Sequence, residues 1–97
     1  MEYRAYLRIP GMRFRDEHLW EPFIKALEQD YAELGPVIGF SDEGAEVIVS
    51  MDCESEASAA TQGVEAVTMC LQAVGLSELY PRGVEVEPAA DDELAPA

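Results

Sequence analysis

The sequence predicts an α+β domain in which two amphipathic helices cover one face of a four-stranded antiparallel sheet. Two observations carry this prediction: apolar residues alternate with polar ones in short stretches, and they recur every three or four positions in two longer stretches. These stretches follow one another as strand, helix, strand, strand, helix, strand. With 97 residues, of which 48% are apolar, the chain is long enough for one modest core.

The first three strands are predicted from their alternation and from the turn residues beside them. Residues 3–9 alternate, and Pro10-Gly11 ends that strand. Residues 37–40 form a short apolar run, residues 41–44 have the composition of a turn, and residues 45–51 alternate again. We therefore expect the second and third strands to form a hairpin.

The first helix carries large apolar side chains at spacings of three and four. Pro22 suits the first turn of a helix, and Gly35-Pro36 is a stop signal. Whether the helix begins at Asp16 or at Glu21 stays open at this point. Its apolar face is predicted to consist of Trp20, Phe23, Ile24, Leu27, Tyr31 and Leu34.

The second helix shows the clearest periodicity. Ser55 is a suitable N-cap, and Gly75 followed by Leu76 is a typical end. The pairs Ala59/Gly63 and Ala66/Cys70 keep one flank small, which permits close packing there. The apolar stripe is predicted to consist of Ala57, Ala60, Val64, Val67, Leu71 and Val74.

Residues 84–87 form the last strand, and the complete order of elements resembles the ferredoxin-like (split β-α-β) superfold over residues 3–87. The resemblance implies one domain, residues 1–88, with the first strand in the interior of the sheet and both helices on one face. Residues 89–97 are acidic and rich in Pro and Ala, so we expect a disordered tail. The superfold hosts many unrelated activities and implies no function by itself.

Charge is distributed unevenly along the chain. The net charge is -14, from 20 acidic and 6 basic residues. Four of the six basic residues lie within residues 1–15, so the first strand and the loop after it are a basic patch on an acidic body. This balance argues against a surface that binds nucleic acid by neutralising phosphates. The acidic surface has three possible roles at this point: it serves solubility, it attracts a basic partner, or it imitates the phosphates of DNA.

The sheet face that points away from the helices is a candidate interface. Its polar side chains are expected to form cross-strand ion pairs, and Tyr6 and Ile48 offer apolar anchors. Small ferredoxin-like domains often pair through this face, so the resemblance implies a homodimer or a partner subunit. The predicted interface residues are Arg4, Tyr6, Arg8, Ile48 and Glu85.

The loop after the first strand is the alternative site. Its pattern, Gly11-Met12-Arg13-Phe14-Arg15, resembles the end of the acylphosphatase signature, which implies that Arg15 binds an anion. That family positions its attacking water with an Asn, and this chain contains no Asn, so we expect binding of a small anion and no hydrolysis. Pro10-Gly11 also resembles the ligand loop of amino-acid-binding ACT domains. The predicted ligand-binding residues are Gly11, Arg13, Arg15 and His18.

The sequence offers little for metal or thiol chemistry. Cys53 and Cys70 do not form a Cys-x-x-Cys pair, and a single histidine, His18, does not complete a metal-ligand set. We expect no metal and no cofactor, and two reduced thiols in a cytoplasmic protein without a membrane span.

The leading hypothesis is a non-catalytic binding or regulatory module that acts through its open sheet face. A small-molecule or anion-binding domain, ACT-like or a degenerate acylphosphatase, is the alternative. An acidic mimic of DNA is the third. No catalytic residue is assigned.

Overall fold

The computed structural model describes residues 1–89 and consists of four strands and two helices, joined in part by a short 3-10 helix. An α+β fold with a four-stranded antiparallel sheet and two helices is therefore confirmed. Of the predicted tail, residues 90–97 lie outside the described residues. The elements are β1 (Glu2–Ile9), α1 (Glu17–Asp30), the 3-10 helix (Ala32–Leu34), β2 (Val37–Ser41), β3 (Gly44–Asp52), α2 (Glu56–Ala73) and β4 (Arg82–Pro88).

The strands lie in the order β2-β3-β1-β4, and every neighbouring pair is antiparallel. β1 therefore lies in the interior of the sheet, as predicted. A two-residue turn joins β2 to β3, since Ser41 pairs with Gly44. The pairing of β1 with β4 shifts register between Leu7 and Arg8. Beyond the end of β4, the N–H of Ala89 donates to the carbonyl of Glu2 (2.9 Å).

Alternate residues of the central strands point into one core shared with both helices. On β1 the buried side chains are Tyr3, Ala5, Leu7 and Ile9, which confirms the predicted inner face. On β3 they are Ala45, Val47, Val49 and Met51. From α1, Phe23 and Leu27 join the same cluster, with Trp20 and Ile24 half-buried at its margin, as predicted. The predicted helix is too long, however, because α1 ends at Asp30: Tyr31 is its C-cap and Leu34 belongs to the 3-10 helix, although both side chains still pack on the core.

α1 begins at Glu17, so the expectation that Pro22 lies in its first turn is wrong. Pro22 is an interior residue of the helix. It has no N–H to donate to the carbonyl four residues before it, that of His18. Pro22 and His18 are both exposed, so water can bind that carbonyl oxygen. Of the two starts left open by the sequence, Asp16 and Glu21, the observed start at Glu17 is close to the earlier one.

α2 buries a different stripe from the one predicted. Its N-cap and its end are confirmed: Ser55 Oγ accepts from the Ser58 N–H (3.1 Å), and the Leu76 N–H donates to the Leu71 carbonyl (2.8 Å). Only Val67 and Leu71 of the predicted stripe are fully buried, and Ala57 is exposed. The buried residues are Ala59, Gly63, Ala66, Val67, Cys70 and Leu71.

The small residues decide this rotation because they let the helix approach the sheet. A Cβ added to Gly63 would lie 3.3 Å from Leu7 Cδ1 and 3.5 Å from Ala5 Cβ. Any larger side chain at this position of α2 would push the helix away from β1. The bulkier Val64 is therefore left half-buried at the rim. Neither α1 nor α2 is long and apolar enough to cross a membrane.

Candidate functional site

The open face of the sheet, on the side away from the helices, carries three rows of side chains that run across the strands and, at the start of β1, a fourth row in which Glu2 lies opposite Asp52. In the middle row, Val37 lies opposite Ile48, Ile48 opposite Tyr6, and Tyr6 opposite Glu85. The row nearer the start of β1 contains Ser50, Arg4 and Glu87. The row nearer its end contains Gly39, Glu46, Arg8 and Arg82.

The middle row is apolar over three adjacent strands, and we call it the apolar row: Val37, Ile48 and Tyr6. Val37 is 58% exposed, while Ile48 and Tyr6 are half-buried by their neighbours. Adjacent strands are about 4.8 Å apart, so the three side chains cover a continuous strip about 10 Å long. Glu85 ends the strip on β4. An exposed apolar strip bordered by charged side chains is typical of an interaction surface.

The arginines beside the apolar row are paired with carboxylates. Arg8 Nη2 lies 3.3 Å from Glu85 Oε1, and Arg8 Nη1 lies 3.9 Å from Glu43 Oε1. Arg4 Nη1 lies 3.8 Å from Glu87 Oε1. These side chains are substantially exposed, so each pair contributes only a few tenths of a kcal/mol to stability. The predicted cross-strand ion pairs are present, and they neutralise part of the charge of this face.

Tyr6 joins the apolar row to this charged network. Its hydroxyl donates a hydrogen bond to Glu87. That hydrogen bond to a carboxylate raises the pKa of the Tyr6 phenol, and partial burial adds to the shift, while Arg4 acts against it. Tyr6 therefore stays a neutral hydrogen-bond donor at neutral pH.

A shallow groove of about 310 Å³ adjoins the open face near the β2–β3 turn. It exists because Gly39 has no side chain: a Cβ there would meet nothing within 4 Å. Arg8, Ser41, Glu43 and Glu46 provide polar groups around it. The groove could therefore receive a polar side chain from a partner.

The predicted interface residues lie together on this face. The structure adds Val37, which the sequence analysis did not select. The apolar run of residues 37–40 gives no alternation, so the outward side of β2 follows only from its register with β3. That these residues form an interface stays a prediction. The predicted set is Arg4, Tyr6, Arg8, Ile48 and Glu85.

The four predicted ligand-binding residues are exposed, and none of them lines the groove near the β2–β3 turn. Gly11, Arg13 and Arg15 lie between β1 and α1, and His18 lies in the first turn of α1. Within residues 1–89, Arg13 and Arg15 form no ion pair, in contrast to Arg8. Anion binding by this loop stays a prediction.

The same loop is held in place by three aromatic rings. The Phe14 ring is stacked on Trp20 with centroids 6.0 Å apart, and both rings contact Phe40 of β2, at 5.5 Å and 5.2 Å. Trp20 Nε1 donates to the Phe14 carbonyl (2.9 Å). Met12 is fully buried beneath. Trp20 therefore fixes the loop to α1 and β2, although Phe14 remains 69% exposed.

The two thiols are free and differ in environment. Cys70 is buried in α2, and this burial raises its pKa, so the thiolate that reacts with electrophiles is disfavoured. Cys53 is half-buried, and its Sγ lies 3.5 Å from the Ser55 carbonyl. Among residues 1–89, no three His, Cys, Asp or Glu side chains converge as a metal site requires.

Comparison of the chain with protein-family models, with curated proteins and with solved structures finds no match.

Proposed function

We propose that this chain is a ferredoxin-like binding module that acts in the cytoplasm, has no catalytic chemistry and pairs with a second copy of itself through its open sheet face. The order of elements and the strand order β2-β3-β1-β4 support the ferredoxin-like assignment. The observation that carries the function is the apolar row, Val37, Ile48 and Tyr6, in the middle of a mixed-charge face.

Charge selects a second copy as the occupant of this face. Two chains with a net charge of -14 repel each other through most of their surfaces. Three of the six basic residues, Arg4, Arg8 and Arg82, lie on the strands of the open face and offset part of the charge of its carboxylates, which are Glu2, Glu46, Asp52, Glu85 and Glu87. It also carries acidic partners for arginines of a two-fold related copy, so the face is self-complementary.

The size of the face sets the expected affinity. Four strands spaced by about 4.8 Å and roughly 25 Å long give a flat area of about 500 Å² on each copy. That is below the ~800 Å² per partner of a standard stable interface. We therefore expect a reversible dimer with a dissociation constant in the micromolar range, which corresponds to a binding free energy of about -8 kcal/mol.

Sedimentation equilibrium over about 1 to 200 µM protein tests the proposal. We expect dimers that tighten when NaCl rises from about 50 to 500 mM, because salt screens the repulsion between two acidic chains. Ile48→Glu places a carboxylate in the apolar row and should weaken the dimer at least tenfold, which is about 1.4 kcal/mol.

Met69→Glu is the matched control, since Met69 is an exposed apolar residue of α2 (53% exposed). It should leave dimerisation unchanged. A wild-type protein that stays monomeric at both salt concentrations would refute the proposal and return attention to the loop with Arg13 and Arg15. Equal weakening by both variants would place the contact elsewhere.

A further inference from the structure

The outer surface of the helix layer carries a shallow, open apolar groove of about 500 Å³, which lies along α2 and is lined by side chains of that helix alone. Its lining extends from residue 60 to residue 72, which is about 18 Å or slightly more than three helical turns. The apolar contributions come from Ala60, Val64 and Met69. This groove lies on the opposite side of the molecule from the open sheet face.

The groove is accessible and is bordered by groups that can form hydrogen bonds. Met69 is 53% exposed, whereas Val64 and Ala60 are half-buried. Thr61 and Thr68 present methyl and hydroxyl groups along its length. Methionine side chains adapt their shape to different apolar partners, so this surface can accept an apolar side chain of a partner.

The groove contains one carboxylate, that of Glu65, and lies on a helix layer that is acidic as a whole. Residues 17–34 and 54–78, which contain both helices, carry nine acidic side chains and one basic side chain, Lys25. Lys25 is itself paired with Glu21, at 3.5 Å. Burial is the main cause that raises the pKa of Tyr31, and the charges of Cys70, Glu65 and Asp30 raise it further. Glu65 of α2, which lines the groove, and Asp30 of α1 thus act on the same tyrosine.

We propose that this groove binds a cationic amphipathic helix of a partner protein, laid along α2. An amphipathic helix fits an apolar groove by inserting side chains spaced three and four residues apart, and three turns match the length between residues 60 and 72. Its Lys and Arg side chains would face Glu65 and the other carboxylates of the layer. A mimic of DNA needs the charges alone, whereas this site also uses the apolar groove.

A labelled peptide of about 14 Leu and Lys residues, with Leu at helical spacing, is the probe, and binding is followed by fluorescence anisotropy at about 150 mM NaCl. The control peptide has the same composition in scrambled order. We expect micromolar binding of the amphipathic peptide and at least tenfold weaker binding of the scrambled one.

Two charge reversals locate the site on the molecule. Glu65→Lys changes a residue that lines the groove and should weaken peptide binding at least fivefold. Glu46→Lys changes a residue on the open sheet face and should alter peptide binding less than twofold. The reason for the difference is that only Glu65 lies within reach of the peptide. Absence of binding up to about 500 µM, equal binding of both peptides, or equal effects of both variants would overturn the proposal. Equal binding of the peptides would favour the DNA mimic.

This inference is independent of the sheet-face dimer. The Ile48→Glu variant should bind the amphipathic peptide as tightly as the wild type, because Ile48 lies on the other side of the molecule. If the dimer is absent and the peptide still binds at α2, the dimer proposal alone fails. If the dimer forms and the peptide does not bind, the helix-groove proposal alone fails.

Discussion

The two faces of the sheet are built from alternate residues of the same strands, yet they differ in chemistry. The inner faces of β1 and β3 carry only apolar side chains, all of them buried. The open face carries three apolar side chains among arginines and glutamates. The buried side chains of the inner face therefore stabilise the fold, whereas the side chains of the open face can contact a partner.

The strongest test of this difference uses two neighbours on β3. Val47→Glu would place a carboxylate where the exposed fraction is 0%, and we expect a loss of about 4 kcal/mol or more, or no cooperative folding. Ile48→Glu, one residue further and on the open face, should cost about 1 kcal/mol or less. Urea unfolding at about 0.1 µM protein, roughly tenfold below the expected dissociation constant of the dimer, measures both losses.

Similar losses for the two variants would mean that the open face is also part of the stabilising core. The conclusion that the inner face alone stabilises the fold would then be wrong. A folded Ile48→Glu protein also validates its use in the dimerisation experiment.

A smaller difference in the free energy of unfolding is expected when valine replaces each of two glycines. Gly63→Val on α2 would force side-chain atoms against Leu7 and Ala5 of β1, and we expect a loss of about 2 kcal/mol. Gly39→Val on β2 meets nothing within 4 Å, and valine favours strands, so the free energy of unfolding should stay equal or rise by up to about 1 kcal/mol. Thermal unfolding followed by circular dichroism distinguishes the two, and a stabilised Gly63→Val protein would contradict the close approach of α2 to β1.

The smallest expected effect concerns the phenol of Tyr6. Because Glu87 accepts its hydrogen bond, Glu87→Ala should lower the raised pKa of Tyr6 towards the ordinary value of a tyrosine. The stabilisation from this interaction is fully present below the ordinary phenol pKa and is lost as the pH rises through the raised one. The ultraviolet absorbance of phenolate, with Tyr6→Phe as the reference, measures the shift. An unchanged pKa in Glu87→Ala would show that Glu87 does not hold this hydroxyl.

Local patterns predicted most of the secondary structure. Alternation gave the inner faces of β1 and β3, and the apolar face of α1 was correct from Trp20 to Leu27, although the helix ends at Asp30 and not at Leu34. The errors lie where two local signals compete. Pro22 suits a first turn, but the helix extends back to Glu17. The valines of α2 suggested one stripe, but the small residues around Gly63 face the sheet.

The candidate surfaces were predictable to different degrees. The residues of the open face that belong to β1 and β3 follow from alternation and antiparallel pairing. Val37 was missed because the run of residues 37–40 is apolar on both sides, and only the register with Ile48 assigns it to the open face. The groove on α2 was missed because it depends on which residues the helix buries, and the predicted stripe had placed Ala60 and Val64 in the core.

The order of the elements and the inner faces of the central strands followed from local patterns, because each depends on neighbours along the chain, and the strongly acidic net charge followed from the composition. The tertiary structure alone decided the rotation of α2, the row formed by Val37, Ile48 and Tyr6, and the pairing of Arg8 with Glu85. These features depend on residues distant in sequence that meet only when strands pair in one register and a helix packs as closely as its smallest side chains allow.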